Sequence, residues 1–242
     1  LGPALDALTE AKARDGELYL KTRWNAPKGL IFRVDCTKLQ RHFWKLIVPE
    51  GRDALENYTL AGGRLVLSYI RDAWSVVRTV DRDGASVTEV GLKPYGSAGL
   101  GASDWGEKDL YVSYVSFTTP TEFHRLDPKT GKLTEWARET VPFDGSGVEV
   151  KQVWYRSKDG TRVPMFVAAK KGLALDGKTP ALIYGYGGFS VSVQPAFSAT
   201  WAAWIENGGV LAVANLRGGS EFGEAWHKAG MLENKQNVFN DF

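Results

Sequence analysis

Tyr184-Gly-Tyr-Gly-Gly-Phe189 is the segment of this chain best equipped for chemistry. It completes Pro180-Ala-Leu-Ile-Tyr184, a short continuous apolar run of the kind that forms a buried strand. Gly185, Gly187 and Gly188 permit positive φ and close backbone approach, which leaves two tyrosines and a phenylalanine to project where the strand leaves its sheet. Ligands of open α/β sheets bind at that edge. A phenol held on such a turn can donate a hydrogen bond to a developing oxyanion, and a phenyl ring can wall an apolar pocket. The same residues also suit a tight turn whose aromatic rings enter the core.

A second glycine-rich stretch, Ala214-Asn-Leu-Arg-Gly-Gly-Ser-Glu-Phe-Gly223, also follows a strand-like run. It has neither the G-x-x-x-x-G-K-[ST] nor the G-x-G-x-x-G spacing, so nucleotide binding is excluded, and Arg217 and Glu221 are expected to form a loop-anchoring ion pair. Gly218-Gly-Ser220-Glu-Phe222 fails the G-x-S-x-G nucleophile elbow at its last position. Of the three histidines, His42 and His124 fall in expected strands far apart in sequence. His227 follows the second glycine-rich stretch, where a structural hydrogen bond or a place near a site are both open. No paired-histidine spacing supports a metal, and no motif calls for a cofactor.

These segments sit in a chain of 242 residues, 43% hydrophobic and 24% charged, which suits a folded protein with a real core. Thirty Lys+Arg against 28 Asp+Glu leave a formal charge of only +2, and no basic run exceeds a pair such as Lys170-Lys171, so nucleic-acid binding gains no support. Apolar stretches such as 209–215 fall far short of the roughly 20 residues that span a bilayer, so no membrane segment is expected. The single cysteine, Cys36, allows no intrachain disulfide. The chain opens at Leu1 with no signal-peptide pattern and closes at Phe242, one turn into an expected amphipathic helix beginning near Lys235. It therefore reads as an internal fragment of a longer protein.

Two regions must position the candidate segments. Up to about Arg138 the chain is a succession of short β-type runs divided by Gly, Asp and Asn turns. Val34-Asp35, Val80-Asp81 and Leu126-Asp127 each close a strand and recur at 46-residue intervals; Tyr19, Leu65 and Tyr111 repeat at the same interval. A period near 46 suits one four-stranded blade of a β-propeller; a β-sandwich with strands at similar intervals is the alternative that the pattern leaves open. The clearest copy predicts strands at 55–60, 64–70, 73–80 and 86–91, and the next runs over 96–138. Two complete copies and most of a third cannot close a ring, which takes at least about four blades. From Val148 the texture changes: two runs joined by a Lys158-Asp159-Gly160 hairpin signal, then strand, helix (197–207), strand (210–215) and a new helix, the rhythm of an α/β domain with a largely parallel sheet. The expected division is 1–147 and 148–242.

Several phrases are similar to one known family. Pro180-Ala-Leu-Ile-Tyr-Gly-Tyr-Gly-Gly-Phe189, Gly208-Gly-Val-Leu-Ala-Val-Ala-Asn-Leu-Arg-Gly-Gly219, Trp226-His-Lys-Ala-Gly230 and Asn234-Lys-Gln-Asn-Val-Phe239 resemble the prolyl oligopeptidase family of serine peptidases; Tyr155-Arg-Ser-Lys-Asp-Gly-Thr161 and Pro164-Met-Phe166 resemble the start of its peptidase domain. The match is dense from 148 to 242 and rests on repeat architecture before that. The resemblance implies a seven-bladed propeller capping an α/β-hydrolase, of which this chain holds about three late blades and the start of the hydrolase. It implies that Tyr186 stabilises the oxyanion and that Phe189 walls the proline-binding S1 pocket. It implies substrates that are short proline-containing peptides, a monomeric parent without cofactor, and a catalytic serine, aspartate and histidine that all lie beyond Phe242. Oligopeptidase B is the neighbouring branch, and Phe189, the Ala-Asn-Leu-Arg phrase and Trp226-His227 look more like the prolyl one. Ser220 departs from the family, which usually has a third glycine there. The cytoplasm and the periplasm both remain open as compartments.

Overall fold

The computed structural model describes residues 9–242. The first eight residues of the expected propeller portion lie outside the described residues. Three four-stranded antiparallel sheets come first, each a meander of consecutive strands. Blade one comprises β1 (Thr9–Arg14), β2 (Glu17–Thr22), β3 (Leu30–Asp35) and β4 (Lys45–Val48). Blade two comprises β5 (Ala54–Ala61), β6 (Arg64–Arg71), β7 (Trp74–Asp81) and β8 (Val87–Glu89), and blade three β9 (Gly96–Leu100), β10 (Leu110–Ser116), β11 (Glu122–Leu126) and β12 (Leu133–Arg138). The first copy of the repeat, expected to be incomplete, therefore also has four strands.

The 46-residue period has a local cause. Asp35, Asp81 and Asp127 each end the third strand or follow it by one residue. Their carboxylates take hydrogen bonds from the turn that follows: Asp35 from Thr37 N–H at 2.8 Å, Asp81 from Ala85 N–H at 2.8 Å and Asp127 from Lys129 N–H at 2.9 Å. An aspartate that mimics a backbone turn here directs the chain towards the outer strand. His42 departs from expectation: it sits in a 3-10 turn, Arg41–Phe43, where the chain crosses between β3 and β4. His124 lies on β11 as expected, with its Nε2 3.2 Å from Glu122 Oε2.

The blades stack through alternating side chains. Leu65 and Leu67 of β6 meet Tyr19, Ile31 and Ile47 of blade one. Val66 of the same strand meets Leu110, Val112 and Leu126 of blade three. Because β6 is covered on both faces, it reads as a nearly continuous apolar run rather than an alternating one.

A fourth sheet begins at β13 (Val148–Arg156) and continues with β14 (Arg162–Lys170), β15 (Ala181–Tyr186) and β16 (Val210–Asn215), in the order β13-β14-β16-β15. It is mixed, not largely parallel: the hairpin at Lys158-Asp159-Gly160 makes β13 and β14 antiparallel, β14 and β16 are antiparallel, and only β15 and β16 run parallel. Helix α1 (Ala199–Glu206) supplies the crossover between that parallel pair, capped by Ser198, whose Oγ accepts from Trp201 N–H. β16 is buried throughout, whereas β15, expected to be buried, lies at the sheet edge with Ile183 55% exposed. An apolar run specifies a strand but not its place in the sheet, and among the described residues β15 has a partner on one side only. Ala73 and Phe117 from the blades pack with Phe166, Leu211, Val213 and Ile205, joining the propeller portion to this sheet and α1. No helix among the described residues is long and apolar enough to cross a membrane.

Candidate functional site

The parallel pair brings the two glycine-rich stretches side by side. Tyr186 pairs with Asn215 at the last register position of β15 and β16, so both chains turn out of the sheet at the same edge. Close approach, rather than unusual φ, explains the glycine at 187. A Cβ there would stand 2.4 Å from the carbonyl oxygen of Arg217 and 2.4 Å from Val238 Cγ1. The positive φ angles expected at Gly185, Gly187 and Gly188 occur instead at Phe189 (54°) and Ser190 (59°).

Tyr186 and Phe189 come together on one apolar cavity of about 330 Å³. Its other walls are Leu216 beyond β16 and Val238, Phe239 and Phe242 on and after α3 (Gln236–Asp241). Tyr186 is 40% exposed and Phe189 87% exposed, so neither ring is buried among the described residues. Lys235 was not singled out from sequence. Its Nζ donates to the Gly187 carbonyl at 2.5 Å and lies 5.7 Å from the centre of the Phe239 ring, which fastens the turn to the helix opposite. The Asn234-Lys-Gln-Asn-Val-Phe239 phrase carried that signal without revealing its direction.

Arg217 and Glu221 do not pair. The guanidinium of Arg217 grips Asp241 through Nε and Nη2, at 2.9 and 2.6 Å, and reaches Asp159 at 2.6 Å, while its backbone N–H also donates to Asp241 at 3.0 Å. The turn through Gly218 and Gly219 sends Glu221 the other way, towards Val193, whose N–H donates to Glu221 Oε1 at 2.8 Å. Hydrogen bonding from Arg217 holds the Asp159 carboxyl far below the usual carboxylate range. Burial pushes the Glu221 carboxyl up to about 7. Ser220, at the family's third glycine, needs no positive φ; its hydroxyl donates to the Ser190 carbonyl at 2.6 Å.

His227 does not line the cavity. It sits on α2 (Glu224–Lys228) with Nδ1 3.6 Å from Glu224 Oε1, longer than a hydrogen bond. Glu224 itself is paired with Arg23 of the β2–β3 connection at 3.0 Å. No group of three or more His, Cys, Asp or Glu side chains among the described residues is arranged to hold a metal ion. A strand-end phenol and an apolar, aromatic-walled cavity suit an oxyanion and a compact apolar side chain.

The profile of the prolyl oligopeptidase N-terminal β-propeller domain matches residues 2–139, more than half of the chain, and that of the prolyl oligopeptidase family matches 195–242. The chain belongs to the prolyl oligopeptidase family. A prolyl endopeptidase of Elizabethkingia miricola is 39% identical over 229 residues, 94% of this chain and 32% of that protein. A dual function macrocyclase-peptidase of Galerina marginata is 34% identical over 232 residues, with 93% and 32% covered. Among solved structures, one from a study of two prolyl endopeptidases superimposes with a TM-score of 0.93 at 44% identity, covering 98% of this chain and 35% of the other. Prolyl oligopeptidase B from Galerina marginata, bound to a 35-residue hydrolysis and macrocyclization substrate, gives 0.89 at 31% identity, with 97% and 34% covered. The chain thus spans about a third of the length of these prolyl oligopeptidase relatives.

Proposed function

We propose that the protein of which this chain forms part is a serine-type oligopeptidase that hydrolyses short peptides on the carboxyl side of proline through an acyl-enzyme. In this reading residues 1–147 are the later part of its propeller domain and 148–242 the first part of its α/β-hydrolase domain. The observation that carries the reading is the sharing of one apolar cavity by Tyr186 and Phe189 at the end of a parallel strand pair. Phe189, Val238 and Phe239 offer a proline ring apolar walls. The Tyr186 hydroxyl, beside them, donates to the oxygen of the scissile carbonyl as it gains charge. Attack by a serine hydroxyl, with its proton passing to a histidine, would form the tetrahedral intermediate that this hydrogen bond stabilises. Those partners are to be sought in the sequence beyond Phe242, in a G-x-S-x-G context followed by aspartate and histidine. The 242 residues by themselves are then inactive. The propeller would admit oligopeptides and exclude folded proteins.

The test is digestion of a mixture of short peptides by the full-length protein, with cleavage sites read by mass spectrometry. Cuts after proline support the proposal. Cuts after arginine or lysine replace it with an oligopeptidase B-like specificity. Peptide binding without cleavage, in a protein lacking the downstream serine, replaces it with a binding module.

A further inference from the structure

Residues 190–195 belong to no strand or helix, yet their polar groups are held from two sides. On the hydrolase side, Ser190 N–H donates to the Gly218 carbonyl at 3.0 Å, and the two backbone polar groups of Val193 are taken by side chains, N–H by Glu221 Oε1 at 2.8 Å and carbonyl by Asn215 Nδ2 at 2.5 Å. On the propeller side, Gln194 enters blade two. Its Oε1 accepts from Ser75 Oγ at 2.7 Å, and its Nε2 donates to Glu56 Oε1 at 2.8 Å. Ser97 of blade three donates to the next carbonyl, that of Pro195, at 2.5 Å.

The backbone just before this segment is where order is hardest to keep. Phe189 and Ser190 are consecutive non-glycine residues in the left-handed region, which persists only where the surroundings over-determine it. The Phe189 ring is exposed, so packing does not hold it there. Hydrogen bonds restrain it from both sides: Lys235 at the Gly187 carbonyl before it, and the bonds at Ser190 and Val193 after it.

Glu221 is suited to supply part of that restraint. The residue is 0% exposed, and its Oε2 lies over Gly219, where a Cβ would stand 2.2 Å away. Oε2 has no hydrogen-bond partner among the described residues. Glu56 of β5 adds a like charge that acts on it from blade two; Lys21 of β2 donates to the Glu56 carbonyl at 2.5 Å and pairs with Glu10 of β1 at 3.0 Å. A carboxyl there favours its neutral form, which still accepts from Val193 and carries no charge into the interface.

We propose that Glu221 and Gln194 are positioning residues for the 186–189 turn, joined through Val193 into one clasp that fixes the turn against blade two. Neither touches the cavity, and their effect passes through the backbone. The kinetic consequence rests on the proposed peptidase function; the structural one does not.

The test uses the full-length protein carrying Glu221→Ala, Glu221→Gln or Gln194→Ala. Amide hydrogen exchange over 187–197 is read by mass spectrometry against β16 as internal reference. Exchange is expected to accelerate about tenfold or more in Glu221→Ala and Gln194→Ala, and to stay within about twofold of wild type in Glu221→Gln, whose amide keeps the acceptor and turns the unpaired atom into a donor. For a chromogenic proline peptide, kcat/KM is expected to fall about tenfold in Glu221→Ala and to recover in Glu221→Gln, a loss of about 1.4 kcal/mol in transition-state stabilisation. Should Glu221→Ala fail to fold, Gln194→Ala and Ser75→Ala carry the same test from the blade side. Unchanged exchange in the alanine variants, or Glu221→Gln exchanging as fast as Glu221→Ala, overturns the clasp. A wild type that cleaves no proline peptide while the exchange results hold overturns the peptidase reading and leaves the clasp in place.

Discussion

At the scale of single residues, the question is what Tyr186 and Phe189 each do to a reacting peptide. A hydroxyl that strengthens its bond as charge develops lowers the barrier without tightening ground-state binding, whereas a pocket wall binds both states alike. Tyr186→Phe in the full-length protein is therefore expected to lower kcat about 100-fold with KM nearly unchanged, and Phe189→Ala to raise KM instead. Equal turnover by wild type and Tyr186→Phe would leave the phenol with a merely structural role. Glu221 gives a pH signature of its own. Its folded-state pKa is raised from 4.5 to about 7, so its stabilising neutral form is fully present below about 4.5, and the contribution is lost as pH rises towards 7. The whole change is on the order of 3 kcal/mol. The melting temperature of wild type relative to Glu221→Gln should accordingly be lower at pH 8 than at pH 5; parallel profiles would show that this carboxyl does not titrate as described.

At the scale of elements, Arg217 ties together three pieces that are distant in sequence: the end of β16, the β13–β14 hairpin through Asp159, and α3 through Asp241. Arg217 and Asp241 are both buried, and removing one partner of a buried pair strands the other, at a cost of about 3–5 kcal/mol. Asp241→Asn is expected to destabilise the hydrolase portion by an amount in that range and to loosen α3, with its cavity-lining Val238 and Phe239. Arg217→Lys should not rescue function, because an ammonium cannot make the forked contact. Denaturant unfolding followed by amide hydrogen exchange over 216–242 would read the destabilisation in both variants, since the Trp226 indole N–H donates to the Leu216 carbonyl next door at 3.0 Å. This network also marks the limit of what could be read without coordinates. The blades were legible because an aspartate at the end of each third strand performs the same local task three times. The 186–189 turn was legible from its glycines and aromatics. The partners of Arg217 were not, since the acids stand 24 and 58 residues away and Glu221 offered a nearer opposite charge. The strain at Phe189 and Ser190 was equally hidden, because neither residue type announces positive φ. The edge position of β15 depends on which strands flank it, a tertiary property that an apolar run does not encode.

At the scale of the whole molecule, the chain presents a surface that none of the described residues 9–242 covers. Ile183 on β15 and Phe189, Phe239 and Phe242 around the cavity are all exposed, and the free edge of β15 offers backbone donors and acceptors to another strand. Burying those four side chains would return roughly 6–12 kcal/mol at about 1.5–3 kcal/mol each. Association itself costs about 4–15 kcal/mol in lost translational and rotational freedom. The two are comparable, so apolar burial alone gives weak contacts, and strand pairing along β15 decides whether they persist. The chain expressed alone is therefore expected to bind an apolar dye and to form concentration-dependent oligomers at micromolar concentrations in sedimentation velocity. Ile183→Lys should shift it towards monomer by placing a charge on the open edge, whereas Trp136→Lys should change little because that exposed ring lies on β12, in a different sheet from β15. A monomer that binds no dye and unfolds in one sharp transition would mean that the β15 edge is covered by contacts absent from this arrangement.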